Sequence, residues 1–178
     1  DLPEALAARG LYYTYVSRDP ERGLADLTRA IAIAPNDPET QNAAGLTLRR
    51  LGRFDEAIEH FREAARLAPR EAGYRTRARE ILAQLGGLDE AERENEALRR
   101  RFPELPYSYV HRFMYRFMRT GKTDGWREEF ERRALSMPQQ YRDNHTRTLL
   151  TAEGDIESLV AYIERTPPED APQLGNRD

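Results

Sequence analysis

Cysteine is absent from the 178 residues, which excludes disulfide frameworks, thiolate metal sites, iron–sulfur clusters and cysteine nucleophiles. Histidine is scarce: His60, His111 and His145 lie far apart, and neither HExxH nor any other metal-ligand spacing occurs. A glycine-rich phosphate loop is missing too, because Gly86-Gly87 reads as a helix stop. Catalysis, a cofactor and a bound metal are therefore not expected. Long apolar runs are also lacking. Mean hydropathy is −0.84, and nothing approaches the roughly 20 residues of a membrane span. Lysine is nearly absent, Lys122 being the only one among 28 basic residues. That preference for arginine is what GC-rich codon usage produces. The 31 acidic residues leave a net charge of −3, which removes the general electrostatic drive toward nucleic acids. The chain opens at Asp1 with no initiator Met and no apolar leader, as expected of an excised domain or processed product. Without cysteine the compartment stays open, cytoplasm being expected and periplasm compatible.

What is present is a period of 34 residues: Pro35, Pro69 and Pro103; Ala30, Ala64 and Leu98; Gly23, Ala57 and Ala91; Leu51-Gly52 and Leu85-Gly86. Several independent columns in one register mark a repeat. Within one period, Phe54, Ala57, Ile58, Phe61, Ala64 and Ala65 follow i, i+3, i+4, i+7 steps, and Ala44, Gly45, Leu48 and Leu51 do likewise, so each period reads as two helices. Asp19-Pro20-Glu21 and Asp37-Pro38-Glu39 place an N-cap aspartate, a first-turn proline and an acidic residue in order, which marks helix starts.

On these residues the chain resembles the tetratricopeptide repeat. The best match is 38–71, where Gly45, Leu48, Gly52, Phe54, Ala57, Phe61, Ala64 and Pro69 follow the family's alternation of small and large side chains. Residues 4–37 form a divergent copy, and 72–105 a third in which Arg79 replaces the usual glycine and Asn95 the usual aromatic. One inserted residue restores the register in a degenerate fourth copy over 107–140, which carries Trp126 in a small-residue slot. Terminal helices over 141–165 read as an end cap, so that 1–165 forms the repeat domain, and the proline-rich tail 166–178 is expected to be disordered. The resemblance implies an all-α, right-handed superhelical solenoid of helix-turn-helix pairs. A looser likeness is to repeat arrays of bacterial multidomain regulators, associated with nucleotidyl cyclases or winged-helix proteins.

A solenoid of this kind builds its inner face from the first helix of each pair. Projected onto this chain, that face comprises Arg9, Tyr12 and Tyr15, then Asn42, Leu46, Arg49 and Arg50, then Arg77, Glu80 and Gln84, then His111, Arg112, Tyr115 and Arg119. Arginines with tyrosines suit a carboxylate-bearing protein or peptide partner. The ordinary reading of such arginines is a solvated helix face. The family's carboxylate clamp requires Lys and Asn at fixed first-helix positions; Asn42 and Arg77 lie near two of them, but Ala8 and Tyr12 hold the matching places in the first pair. The resulting expectation is a protein-interaction scaffold that binds on its concave groove. Self-association into a homo-oligomer, or service as a sensor segment of a larger regulator, is the alternative. Tyr13, Val110, Phe113, Met114 and Phe117 are expected in the core.

Overall fold

A computed structural model describes residues 2–165; the expectation of a disordered tail falls outside them. Ten helices follow one another: α1 (Pro3–Tyr15), α2 (Pro20–Ile33), α3 (Pro38–Arg50), α4 (Phe54–Leu67), α5 (Ala72–Gln84), α6 (Leu88–Arg101), α7 (Pro106–Thr120), α8 (Trp126–Ala134), α9 (Gln139–Glu153) and α10 (Ile156–Arg165). They group into two compact units, Asp1–Pro103 and Glu104–Asp178, each taken by itself.

The punctuation works as capping chemistry dictates. The Asp19 carboxylate accepts from the Arg22 N–H, and that of Asp37 from the Glu39 and Thr40 N–H groups, satisfying donors that the first turn leaves open. Helices α3 and α5 end in matching reversals. Gly52 and Gly86 stand at φ +75° and +80°, while the N–H groups of Arg53 and Gly87 reach back to the Leu48 and Leu82 carbonyls at 3.0 and 2.9 Å. Only a residue without Cβ enters that left-handed conformation at little cost.

In the first unit each odd-numbered helix packs on the helix after it, α2 on α3, and α4 on α5. Close approach depends on missing side chains. A Cβ on Gly10 would stand 2.8 Å from the Gly23 carbonyl and from Leu27 Cγ, and one on Gly45 would stand 2.7 Å from the Phe61 ring. Polar ties join successive pairs. The Thr14 and Thr47 hydroxyls meet at 3.1 Å between α1 and α3. The buried Glu94 carboxylate accepts from Arg62 of α4 at 2.9 Å and from Arg75 of α5 at 3.0 Å.

The third pair keeps its packing despite its two departures. Arg79 stands one period after Gly45, and Asn95 one period after Phe61. Where repeat 38–71 sets a glycine against a ring, this pair sets a long side chain against a short one. Arg79 is 1% exposed and donates through Nη1 to Asn95 Oδ1 at 3.3 Å. The short Asn95 leaves room for the long Arg79 side chain, so the larger residue has changed sides of the interface while the interior stays filled.

In the second unit the core gathers Val110, Trp126, Phe130, Met137 and Leu149, with Phe113, Met114 and Phe117 packed against it. Trp126 fills its small-residue slot completely buried, its ring 5.9 Å from that of Phe117. Beside this core, Tyr107 stacks on Tyr141 at 4.7 Å. His111 meets His145 edge to face at 4.9 Å.

Candidate functional site

Helices α1 and α3 run side by side with their starts together: Glu4, Ala7 and Leu11 of α1 share one lining with Thr40, Ala43 and Leu46 of α3, and Thr14 meets Thr47 further along. Small side chains at Ala7, Ala8 and Ala43 leave a gap where larger ones would have met. The result is a trough of about 420 Å³ with Leu11 and Leu46 as its other apolar walls. Asn42 lines it, 9% exposed, and the Asn42 Oδ1 has no hydrogen-bond partner among the described residues. An unsatisfied buried amide oxygen carries a desolvation cost of about 1–3 kcal/mol.

The two ends of this face differ in charge. At the helix starts stand Glu4, Asp37 and Glu39. Asp37 is occupied as the α3 cap. Glu39 accepts a 2.6 Å bond from the Tyr74 hydroxyl of α5, and burial together with that bond pushes the Tyr74 phenol up. A second depression of about 500 Å³, lined by Pro3, Asn36 and Pro38, shares Glu4 and Asp37 with the trough. At the helix ends stand Arg49 and Arg50 of α3, both exposed, with Tyr12 54% and Tyr15 47% exposed on α1. The Arg50 guanidinium lies 5.6 Å from the Tyr15 ring. An apolar floor thus runs between an anionic end and a cationic, aromatic end.

Residues 38–71, which build one wall of this trough, match the family model for the tetratricopeptide repeat. The fold is the tetratricopeptide-repeat fold. A tetratricopeptide repeat protein from Parabacteroides merdae superposes with a TM-score of 0.72 at 15% identity, covering 94% of this chain and 68% of that one. PilF from Pseudomonas aeruginosa superposes with a TM-score of 0.69 at 17% identity, over 94% and 78%. The first repeat domain of Spaghetti (RPAP3), bound to an HSP90 peptide, gives 0.50 at 19% identity, over 57% and 79%. No curated protein matches the chain.

The trough lies between the first helices of the first two repeats, where the sequence reading looked for a binding face, but not every residue named there is available. Tyr12, Tyr15, Arg49 and Arg50 are exposed together, and Asn42 lines the trough. Arg9 is turned to its own pair. Its Nε and Nη2 donate to the Asp26 carboxylate of α2 at 2.6 and 2.8 Å, and that bidentate bond holds the Asp26 carboxyl below its ordinary range. On α5, Arg77 is half-buried near the Tyr74 ring at 6.0 Å, Glu80 accepts from the Arg79 guanidinium at 3.5 Å, and Gln84 is exposed.

In the second unit Arg112 and Arg119 are exposed, Arg112 lying 4.7 Å over the Phe113 ring. Tyr115 is a correction. Expected as a stacking surface, it is 1% exposed, and its ring packs 6.1 Å from that of His111. His111 is buried as well, its Nδ1 2.7 Å from the Tyr107 carbonyl. Both lie on the α7 stripe that the His145, Tyr107 and Tyr141 cluster draws inward, so neither presents a ring to solvent. Helical spacing gave the angle between these side chains but not which side of α7 faces α9.

The residues that sequence reasoning missed are the trough's small ones and its acidic end. Asp37 and Glu39 had been read as helix-start signals only, although a first-turn carboxylate is also a surface charge. Ala7, Ala8 and Ala43 gave a usable signal: three small residues on adjacent first helices leave a gap. Among the described residues no group of three or more His, Cys, Asp or Glu is arranged to hold a metal ion. No described helix is long and apolar enough to cross a membrane.

Proposed function

We propose that this chain is a non-catalytic protein-interaction module that holds an extended segment of a partner protein along the face formed by α1 and α3. The trough of about 420 Å³ with its unpartnered Asn42 carbonyl carries this reading, since a concave apolar floor with a few convergent polar groups is the usual form of a recognition site. Arg49 and Arg50 supply bidentate donors for an acidic part of the segment, with Tyr12 and Tyr15 as flat amphipathic contacts. Arg77, Glu80 and Gln84 extend the same role onto α5, and Arg112 and Arg119 offer it on α7. The HSP90 peptide bound to the Spaghetti (RPAP3) domain supports the reading by fold alone.

The test is capture from a lysate of the source organism with the wild-type chain beside the double variant Arg49→Glu/Arg50→Glu, read by mass spectrometry. Both side chains are exposed, so charge reversal leaves helix packing intact. A partner retained by wild type and lost by the variant is the expected result; identical captures, or none, refute it. One observation favours a second reading, self-association: Ile156, Val160 and Ile163 line one stripe of α10 at 60%, 48% and 43% exposure. Sedimentation velocity over a range of concentrations separates it from a monomeric module.

A further inference from the structure

We infer that the anionic end of the trough selects a partner segment in which an aliphatic side chain is followed by a cation, rather than a uniformly acidic one. The inference rests on the α1/α3 face being the binding surface, and it goes further by fixing what one end of that surface accepts.

Four observations converge on it. The trough floor is built of alanine and leucine side chains and its volume of about 420 Å³ accommodates a branched aliphatic side chain. Its lining includes three carboxylates, those of Glu4, Asp37 and Glu39, and no cation. The adjoining depression opens between Glu4 and Asp37, so a residue next to the anchored one would bring its charge between two carboxylates. Glu4 is exposed and forms no ion pair among the described residues, and the Asn42 Oδ1 is buried without a donor. An acidic segment would meet like charge at these carboxylates, whereas a lysine or arginine meets its counter-charge there, and a backbone N–H of either could serve the Asn42 carbonyl. The cationic end at Arg49 and Arg50 lies three turns away along α3. A bound segment is thereby oriented, with its basic residue at the helix starts and any acidic residue at the helix ends.

The experiment uses three fluorescein-labelled, end-blocked peptides: one with leucine flanked on both sides by lysine, the same peptide with serine for leucine, and the same with glutamate for lysine. Anisotropy titrations are run at low and high salt against the whole chain, wild type and two variants. Ala8→Phe fills the trough from an exposed position, Glu4→Lys reverses one rim charge, and circular dichroism checks that both stay folded. The lysine–leucine probe should bind saturably, about three- to tenfold tighter than the glutamate probe, as two partly screened ion pairs allow. Serine should weaken it, Ala8→Phe should abolish it, and Glu4→Lys or high salt should erase the preference for lysine. Equal or tighter binding of the glutamate probe, or no saturation of the lysine–leucine probe by about 1 mM, overturns the inference. If Ala8→Phe then abolishes glutamate-probe binding, the groove reading survives while the charge selection falls. If Ala8→Phe changes no titration, both fall together.

Discussion

Replacing Gly45 with alanine tests the packing rule on which the first unit is built. Gly45 lies inside α3, where alanine is the better helix former by about 0.5–1 kcal/mol. Propensity alone therefore predicts a gain. Against it, the new Cβ would stand 2.7 and 2.9 Å from two atoms of the Phe61 ring, closer than real Cβ atoms approach, and 3.0 Å from a third. Phe61 is fully buried and so has nowhere to retreat; overpacking of this kind costs about 1–3 kcal/mol. The balance favours a net loss of about 0.5–2 kcal/mol, read as a lower urea midpoint in far-UV circular dichroism with an unchanged m-value. Two controls separate the causes. Gly73→Ala meets only the flexible ends of Arg77 and Glu71, at 3.2 Å, and should be neutral or mildly stabilising. In a Phe61→Leu background the ring is gone, so Gly45→Ala should there cost less than about 0.5 kcal/mol, and the two changes should couple favourably. A neutral or stabilising Gly45→Ala in the wild-type background would refute the claim that the glycine is kept for the ring.

Two further outcomes follow from named contacts. Because the Arg9 bond depresses the Asp26 carboxyl, the unfolded chain binds the extra proton on acidification; the stability from this pair is complete above the ordinary carboxylate range near 4 and is lost as pH falls through the depressed folded value. Asp26→Asn should flatten that acid limb in urea midpoints taken at successive pH values, and a limb as steep as wild type would contradict it. Trp126 is completely buried and its Nε1 has no hydrogen-bond partner among the described residues, so Trp126→Phe should cost well below the roughly 3–5 kcal/mol of Trp126→Ala, and equal thermal shifts for the two would be inconsistent with a purely space-filling role.

The pairing of helices was legible because capping and periodicity are local. Asp37 before Pro38 announces a start, Gly52 after Leu51 announces a stop, and the stripe through Phe54, Ala57, Ile58 and Phe61 names the face between them. The candidate site was legible only in outline. Tyr15 and Arg50 came from projecting first-helix positions, and they do meet at 5.6 Å. Arg9 obeyed the same projection and yet is spent on Asp26, because a carboxylate on α2 within reach outcompetes solvent for a guanidinium. Period alone does not reveal that competition. It depends on a partner 17 residues away whose approach is set by Gly10 and Gly23.

Tyr115 and Arg79 show the same limit from opposite sides. A tyrosine assigned to the surface is buried because α7 shares a ring cluster with α9, and an arginine in a slot the family fills with glycine is buried where Asn95 replaces the usual aromatic ring. In each case the identity of one residue was misleading until its neighbour across the helix interface was known. A repeat constrains such pairs jointly and not singly: glycine with phenylalanine in one copy does the work of arginine with asparagine in the next. That same logic makes the α1/α3 trough informative. There Ala7 and Ala8 of α1 and Ala43 of α3 line a gap that Leu11 and Leu46 beside them do not close, and in the proposed reading that gap, beside an unpaired Asn42 carbonyl, is volume for a partner's side chain.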